Sequence, residues 1–397
     1  MTDATTQSAI EKLQSAEEDI NRRILGQNQA VRASVLAWLT KDHVALVGTH
    51  GTAKTMLSKV TAEYFEASTG YRLLSRYSTP DELFGPVSIK GLKNDKYERC
   101  MAGTLAEVQA ATVDEVFKAN SALLNSLLGW MNERVIDTTD SPLEVLTGIS
   151  NEYPRGLESS TRQNDDDSIF ALWDRFLYRV EIESVFAKRD CWMNVVAGSL
   201  QEERNADPIS ALELQELRSQ VDDLVRDVAA AGPDGQVPIM LRTLGEYLIS
   251  EGVSLSERRW RKAVRVLAAS AVLNGRDSIT DLDFTELQMV LWEAPDQRQL
   301  LKKALRQVEN PTLMSVRGLV DHAIQEMTDA RSAGEERGFA ITQALEVGRR
   351  AVRDIKGVRA TAPERLLPLI DEALEKLMTA GKEARAARTR IEKSQEF

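Results

Sequence analysis

Residues 43–55 read His43-Val44-Ala45-Leu46-Val47-Gly48-Thr49-His50-Gly51-Thr52-Ala53-Lys54-Thr55. An apolar run ends in a glycine-bearing turn, and a helical pattern opens at Met56 and continues to about Glu66. A strand that passes through such a turn into a helix turns backbone N–H groups toward phosphate, with the positive helix end behind them. On this reading Gly48, Thr49, His50, Gly51, Thr52, Ala53, Lys54, Thr55 and Met56 surround bound phosphates. Lys54 bridges the outer phosphates, and the Thr55 hydroxyl faces Mg²⁺. The plain alternative is an ordinary strand-to-helix turn, which the flanking pattern disfavours. One position departs from the usual motif: Ala53 stands where glycine precedes the lysine. Its methyl is accommodated if the local φ stays negative.

Working outward, 397 residues with 43% hydrophobic and 28% charged content suffice for two or three globular domains with a sizeable core. The net charge of −11 argues against a general nucleic-acid binder, which needs a basic surface. Cys100 and Cys191 are far apart and lack metal-ligand spacing, and His43, His50 and His322 are scattered. The only metal expected is therefore a nucleotide-bound Mg²⁺. The polar start Met1-Thr2-Asp3-Ala4 has no signal-peptide pattern, and no run of about 18 apolar residues occurs, so no membrane insertion and a cytoplasmic location are expected.

A helix over about Ser8–Leu25, stopping at Gly26, and a second through Trp38 precede the loop. Strand patterns then fall at Tyr71–Tyr77, Ala110–Val113, Glu144–Ile149 and Phe176–Ile182. Amphipathic helices lie between them, among them Asn120–Asn132 with the stripe Leu123, Leu124, Leu127, Leu128 and Met131, read as core. The alternation is that of an α/β unit with a parallel sheet. Beyond Phe186 the patterns at Ala211–Ala230, Pro238–Glu251, Glu257–Leu273 and Asp281–Trp292 are all helical. After Leu300 only Phe339 and Phe397 are aromatic, so this tail is expected to bury little by itself. Its helical stretch Pro363–Ala380 needs a partner for its apolar face, and the charged end Lys382–Glu396 is expected to fray.

Ala111-Thr112-Val113-Asp114-Glu115 supplies a carboxylate pair some sixty residues after the loop. Asp114 suits Mg²⁺, and Glu115 suits general-base activation of a water. Alone, an Asp-Glu pair is more often solvated surface; the spacing and the helix that follows raise it above that. Asn151, ending the next strand, could bond the attacking water or the outermost phosphate, or simply form a turn. Arg175, in Trp173-Asp174-Arg175-Phe176, is a candidate arginine finger; its plain alternative is an ion pair with Asp174 or Glu181.

The order of these pieces, with a helical region behind them, resembles an AAA+ ATPase of the MoxR family. Arg76-Tyr77-Ser78-Thr79-Pro80-Asp81-Glu82-Leu83-Phe84-Gly85-Pro86, Asn132-Glu133-Arg134, Ser150-Asn151-Glu152 and Ser256-Glu257-Arg258-Arg259-Trp260-Arg261-Lys262-Ala263 are similar to the RavA-like branch. The likeness spans roughly residues 20–295. It implies an α/β AAA+ P-loop core with a parallel sheet over 1–190, an all-α lid over 191–297 and a helical C-terminal appendage over 298–397. It implies ATP and Mg²⁺ as cofactors and ATP hydrolysis in a homo-oligomer, a hexamer, with ATP between subunits. Arg258 takes the place of the lid arginine that touches the outermost phosphate, with Arg259 as the fallback. Gly85–Gly103 corresponds to an insertion projecting toward a central pore. The implied work is remodelling of a protein client, with a partner carrying a von Willebrand factor A domain. A nucleotide-gated scaffold with slow turnover and a chelatase-like motor subunit are the alternatives.

Overall fold

The computed structural model describes residues 4–154, 167–185, 192, 204–308, 311–332, 337–361 and 367–395. Most of the acidic link from Pro154 to Phe170 lies outside them. The chain forms two compact units, residues 1–305 and 306–397.

The first unit opens with helices α1 (Ala4–Arg23) and α2 (Asn28–Thr40), followed by β1 (His43–Val47) and α3 (Lys54–Tyr64). Then come β2 (Thr69–Leu73), the short α4 (Pro80–Phe84) and α5 (Ile89–Leu92), β3 (Ala110–Asp114) and α6 (Ser121–Glu133). A hairpin, β4 (Val135–Ile136) with β5 (Thr139–Asp140), leads to β6 (Val145–Ser150), α7 (Asp167–Arg175) and β7 (Phe176–Glu181). Five strands make one parallel sheet in the order β2-β3-β6-β1-β7. Strand β1 therefore sits between β6 and β7, and the loops after β1, β3 and β6 open on one edge of the sheet, where ligands of such sheets bind.

Burial explains the strand patterns. All five residues of β1 and all six of β6 are buried, as a sheet covered on both faces requires, whereas edge strand β2 alternates and stops at Leu73, short of the expected Tyr77. The mild sequence of β3 has a local cause. Thr112 meets Ser58 of α3 through a 2.7 Å hydroxyl pair, so a polar contact replaces an aliphatic one there. Gly148 in β6 leaves room for the Phe176 ring, whose Cζ would lie 2.4 Å from an added Cβ. Helix α6 begins one residue after Asn120, whose side chain accepts from Leu123 N, and buries Leu123, Leu124, Leu127, Trp130 and Met131.

The expected insertion is a compact excursion closed by an antiparallel bridge between Val87 and Arg99. Arg99 anchors it, with 2.6 and 2.7 Å ion pairs to Asp81 and Asp137. Asp137 lies in the β4–β5 turn with φ 55°, so one guanidinium joins the insertion to a hairpin that the sequence patterns did not reveal.

The helical region comprises α8 (Ala211–Ala231), α9 (Gln236–Ser250) and α10 (Glu257–Leu273), then a 3₁₀ helix over Asp281–Met289. The last was expected to be α-helical. It buries Asp281, Asp283, Phe284, Leu287 and Met289, and Arg276 pins its first turn through two bonds to Asp283. Asp19 of α1 ties this region to the core. It accepts from Tyr64, from Asn205 N at 2.8 Å and from Arg22. Burial alone would raise its pKa, but these bonds hold it down to about 2.

After α11 (Gln297–Val308), the second unit contains α12 (Pro311–Ser332), α13 (Arg337–Thr361) and α14 (Leu367–Gln395), each packed on the other two. It has a core of its own, contrary to the expectation from its few aromatics. Small residues such as Ala323, Ala344 and Ala351 let the helices approach, while Ile341, Ile355, Ile370, Leu374 and Leu377 fill the space. The stretch expected to fray is helical to Gln395, consistent with its Ala, Arg, Lys and Glu content. No described helix is long and apolar enough to cross a membrane.

His43 yields a pH prediction. It is buried, with Nε2 bonding Met131 O at 3.0 Å and Nδ1 accepting from Leu146 N at 3.0 Å. Burial pulls its pKa down to about 3, beyond what the Met131 bond restores, and Arg134 and Lys262 push the same way. The unfolded chain therefore binds a proton that the folded chain refuses. This stability is present above about pH 6.5 and is lost toward pH 3, about 3 kcal/mol of it by pH 4. Urea unfolding at pH 7, 5.5 and 4 should show this loss, with a shallower loss for His43→Gln; identical slopes would refute it.

Candidate active site

The loop after β1 is stapled to its neighbours by backbone. Gly48 N donates to Ser150 O at 3.1 Å and Ile182 N to Val47 O at 2.7 Å. A Cβ at Gly48 would stand 2.2 Å from Ile182 O, so only glycine fits this crossing. Within the loop Thr52 Oγ1 donates to Thr49 O at 2.7 Å. Thr49, His50, Gly51, Ala53, Thr55 and Met56 are exposed around the opening of α3, and Lys54 alone is buried.

Ala53 corrects the sequence-based expectation. Its φ is 60° and ψ 18°, the left-handed region, not the negative φ anticipated for an alanine there. The turn into α3 dictates the sign, because Lys54 must begin the helix directly after a chain reversal. The methyl is tolerated because Ala53 is exposed and its cost is confined to the backbone.

Lys54 Nζ donates to Gly48 O at 2.6 Å, Thr49 O at 2.7 Å and Asn151 Oδ1 at 3.3 Å. Burial lowers its pKa, and Asp114 and Glu115 partly oppose the shift. Asn151 passes the contact on: its Nδ2 donates to Glu115 Oε1. The same carboxylate oxygen pairs with Lys118 at 3.0 Å, while Glu115 Oε2 is buried with no hydrogen-bond partner among the described residues. Glu115 itself has φ 54°, a second left-handed residue. Lys54, Asn151 and Glu115 thus form a continuous polar chain across the ends of β1, β6 and β3. Its far end is a carboxylate oxygen able to accept a proton.

Asp114, ending β3, accepts from Glu115 N at 2.9 Å and from the Tyr71 hydroxyl at 3.0 Å. Burial first and this carboxylate second raise the Tyr71 pKa. Tyr71 on β2 was not anticipated as a site residue; its place two residues ahead of the strand end is the signal that could have marked it. The Thr55 hydroxyl and the Asp114 carboxylate are hard oxygen donors of the kind Mg²⁺ takes.

The two arginines lie elsewhere. Arg175 ends α7, and the next residue, Phe176, is level with His43 at the start of β1. Five strand residues, about 16 Å at strand rise, separate that sheet edge from the loop of the same chain. The suggested ion pairs do not hold Arg175: Asp174 pairs with Arg259 and Glu181 with Arg298. Arg175 Nε is buried and has no hydrogen-bond partner among the described residues.

Arg258 at the start of α10 is exposed. Arg259 is buried and cannot serve as its fallback. Its guanidinium donates to Val290 O at 2.5 Å, Phe176 O at 2.8 Å and Leu177 O at 3.3 Å, and burial pulls its pKa down to about 10. Arg179 beside it is equally buried. It donates to Trp173 O at 2.7 Å and to Trp292 O, and stacks over the Trp173 ring at 4.4 Å. Both use their charge on carbonyls, so together they fasten the end of α7 to the helical region.

A parallel sheet with a phosphate loop, an acidic strand end and a helical lid defines an AAA+ P-loop fold. A family model described as the MoxR domain in the MoxR-vWA-beta-propeller ternary systems matches residues 11–221, and an AAA lid domain model matches residues 236–305. The chain belongs to the MoxR family of AAA+ ATPases. It is similar to two uncharacterized proteins of Methanocaldococcus jannaschii. One is 30% identical over 290 residues, covering 72% of each chain, and the other 30% over 306 residues, covering 76% of this chain and 75% of that one. A structural protein of the Acidianus two-tailed virus is 26% identical over 221 residues, 53% of this chain and 35% of its own length. The crystal structure of a candidate ATPase from Cytophaga hutchinsonii shares the fold, with a TM-score of 0.55, 17% identity and coverage of 76% of this chain and 96% of that one.

Ala53→Gly should relieve the left-handed alanine. The gain exceeds the added flexibility of the unfolded chain by about 0.5 to 1 kcal/mol. A higher urea midpoint would confirm it; an unchanged or lower one would show that the methyl makes a compensating contact.

Proposed function

We propose that the protein hydrolyses ATP with Mg²⁺ in a homo-oligomeric ring and uses the conformational change on a protein client. The observation that supports this best is the chain Lys54–Asn151–Glu115, which ends in Glu115 Oε2, an oxygen with no hydrogen-bond partner among the described residues. A carboxylate oxygen kept from other donors, beside a lysine of a phosphate loop, suits deprotonation of a water that attacks the outermost phosphate. Lys54 neutralises phosphate charge, and Asn151 orients the carboxylate and senses the phosphate through the lysine. Thr55 and Asp114 would hold the Mg²⁺ that accompanies ATP and offsets its charge. Arg258, exposed at the start of α10, is our lid arginine.

Arg175 is our trans-acting finger. It lies at the sheet edge opposite its own loop, and its Nε has no hydrogen-bond partner among the described residues, so a second copy would offer it a phosphate that its own loop is too far away to present. We place the ring at six subunits and the chain in the RavA-like branch, by the resemblance of its motifs. The family description names MoxR-vWA systems, which supports a von Willebrand factor A domain partner and a chaperone-like task.

Two experiments test this reading. Lys54→Ala should lose ATP binding, whereas Glu115→Gln should bind ATP and lose at least about a hundredfold in turnover, because the amide cannot take the proton. Equal turnover of Glu115→Gln and wild type would remove the base assignment. Arg175→Ala should bind ATP yet fall about a thousandfold in turnover. Mixing it with Lys54→Ala should restore part of the activity; mixed assemblies without any recovery would place Arg175 outside the shared site.

A further inference from the structure

Tyr71 stands beside the acidic end of β3 with a polar contact to which the ATPase reading gives no task. It belongs to edge strand β2, where it pairs in register with Thr112 of β3, and it is 43% exposed. A tyrosine so placed needs no protein partner for its hydroxyl, because water would serve. Its hydroxyl nevertheless donates to Asp114 Oδ2 at 3.0 Å.

Strand register explains the contact. Residues paired across parallel strands share a face of the sheet, and so do residues two apart on one strand. Tyr71, Thr112 and Asp114 therefore project to the same side, and Asp114 lies one diagonal step from Tyr71, a span that an aromatic side chain covers. Helix α3 covers that side. Its Ser58 hydroxyl meets the Thr112 hydroxyl at 2.7 Å, and Thr55 stands on the same helix face as Ser58, one turn nearer the phosphate loop. One turn of helix and two residues of strand are of similar length, about 5 and 7 Å, so the hydroxyl pair keeps Thr55 level with Asp114.

The Asp114 carboxylate is held at both of its oxygens. Oδ1 accepts from Glu115 N at 2.9 Å and Oδ2 accepts from Tyr71. One bond on each oxygen fixes the rotation of the carboxylate plane, which a single bond would leave hinged. An ionised carboxylate has about four acceptor positions, so these two bonds leave a second position on each oxygen. Removing the Tyr71 hydroxyl alone keeps the ring in place and strands no buried group on the tyrosine side. What the bond secures is the direction of one carboxylate.

Granted that Asp114 and Thr55 hold Mg²⁺, we propose that Tyr71 is a positioning residue whose hydroxyl sets the Asp114 carboxylate in the orientation that favours Mg²⁺ over larger cations. Mg²⁺ demands a near-ideal octahedron of oxygens at short distances, whereas Ca²⁺ accepts looser and more variable arrangements. A carboxylate clamped at both oxygens discriminates between the two cations, and one hinged on a single bond does so less. Partners that orient a metal-ligating group are worth about ten- to a hundredfold in metal affinity.

Nucleotide binding, not turnover, is the readout. A fluorescent, non-hydrolysable ATP analogue is titrated with the full chain in EDTA, in Mg²⁺ and in Ca²⁺, and the affinity gained with each cation over EDTA is compared. Tyr71→Phe should bind as wild type in EDTA and keep its thermal midpoint. Its gain with Mg²⁺ should fall about tenfold, while its gain with Ca²⁺ changes less than about twofold. Asp114→Asn should lose the gain with both cations. An unchanged Mg²⁺ gain in Tyr71→Phe, beside its loss in Asp114→Asn, would overturn the role of Tyr71 and leave the metal assignment standing. A wild-type chain whose affinity does not respond to Mg²⁺ would overturn the metal assignment and the proposal with it. Equal losses with Mg²⁺ and Ca²⁺, or a Tyr71→Phe chain weakened in EDTA by the same factor, would overturn orientation as the task of the hydroxyl.

Discussion

Two fully buried guanidiniums, Arg179 and Arg259, set the relation between the sheet and the lid. They donate to carbonyls of Trp173, Phe176, Leu177, Val290 and Trp292, which belong to the end of α7, the start of β7 and the segment after the 3₁₀ helix. Burial lowers both pKa values, Arg179 well below the ordinary range, so each charge is expensive and is kept by those bonds and by the carboxylates of Asp174 and Glu293. Losing either would strand several buried carbonyls, a penalty of about 3 kcal/mol or more. The surrounding rings Phe117, Tyr153, Trp173 and Trp292 meet edge to face at 5.6 to 6.2 Å, which closes the cluster to solvent.

From that junction the placement of the other parts follows. Arg175 is the last residue of the helix whose carbonyls the cluster caps, and Arg258 is the residue before Arg259 on α10. The half-buried Arg175 and the exposed Arg258 are therefore carried on the same piece as the buried arginines. Any shift of the lid about this junction moves Arg258 and the end of α7 together, a mechanical link made of backbone and hydrogen bonds.

Much of this was legible in the sequence, for reasons that differ by element. The buried strands β1, β6 and β7 announce themselves as apolar runs, and the phosphate loop is recognisable because glycines and lysine are needed at fixed spacing. Helix α6 showed in its apolar stripe, and the structure adds the Asn120 side chain as its cap. The hairpin β4–β5 escaped notice because two-residue strands have no periodicity to read; its clue was the pair of left-handed residues Arg134 and Asp137, which no pattern reveals in advance. The 3₁₀ helix hid for the opposite reason: over nine residues a period of 3.0 is easily taken for 3.6. At Ala53 the identity was read correctly and the backbone sign was not, since side-chain type constrains φ only on average. Arg179 lies within an apolar strand and Arg259 within a run of exposed bases, where nothing local distinguishes a buried arginine from a solvated one.

The distance along β1 between its two ends has a further consequence at the level of populations. In a ring of the proposed kind every chain gives its loop to one site and its Arg175 to the next, so one chain lacking both functions silences two sites at once. Loss would then outpace the fraction of damaged chains, falling as the square of the intact fraction in randomly mixed rings. A cell holding one normal and one such defective gene copy in equal expression would retain about a quarter of its sites, by the counting of independent neighbours. In a ring of that kind the defect would be dominant over the intact copy.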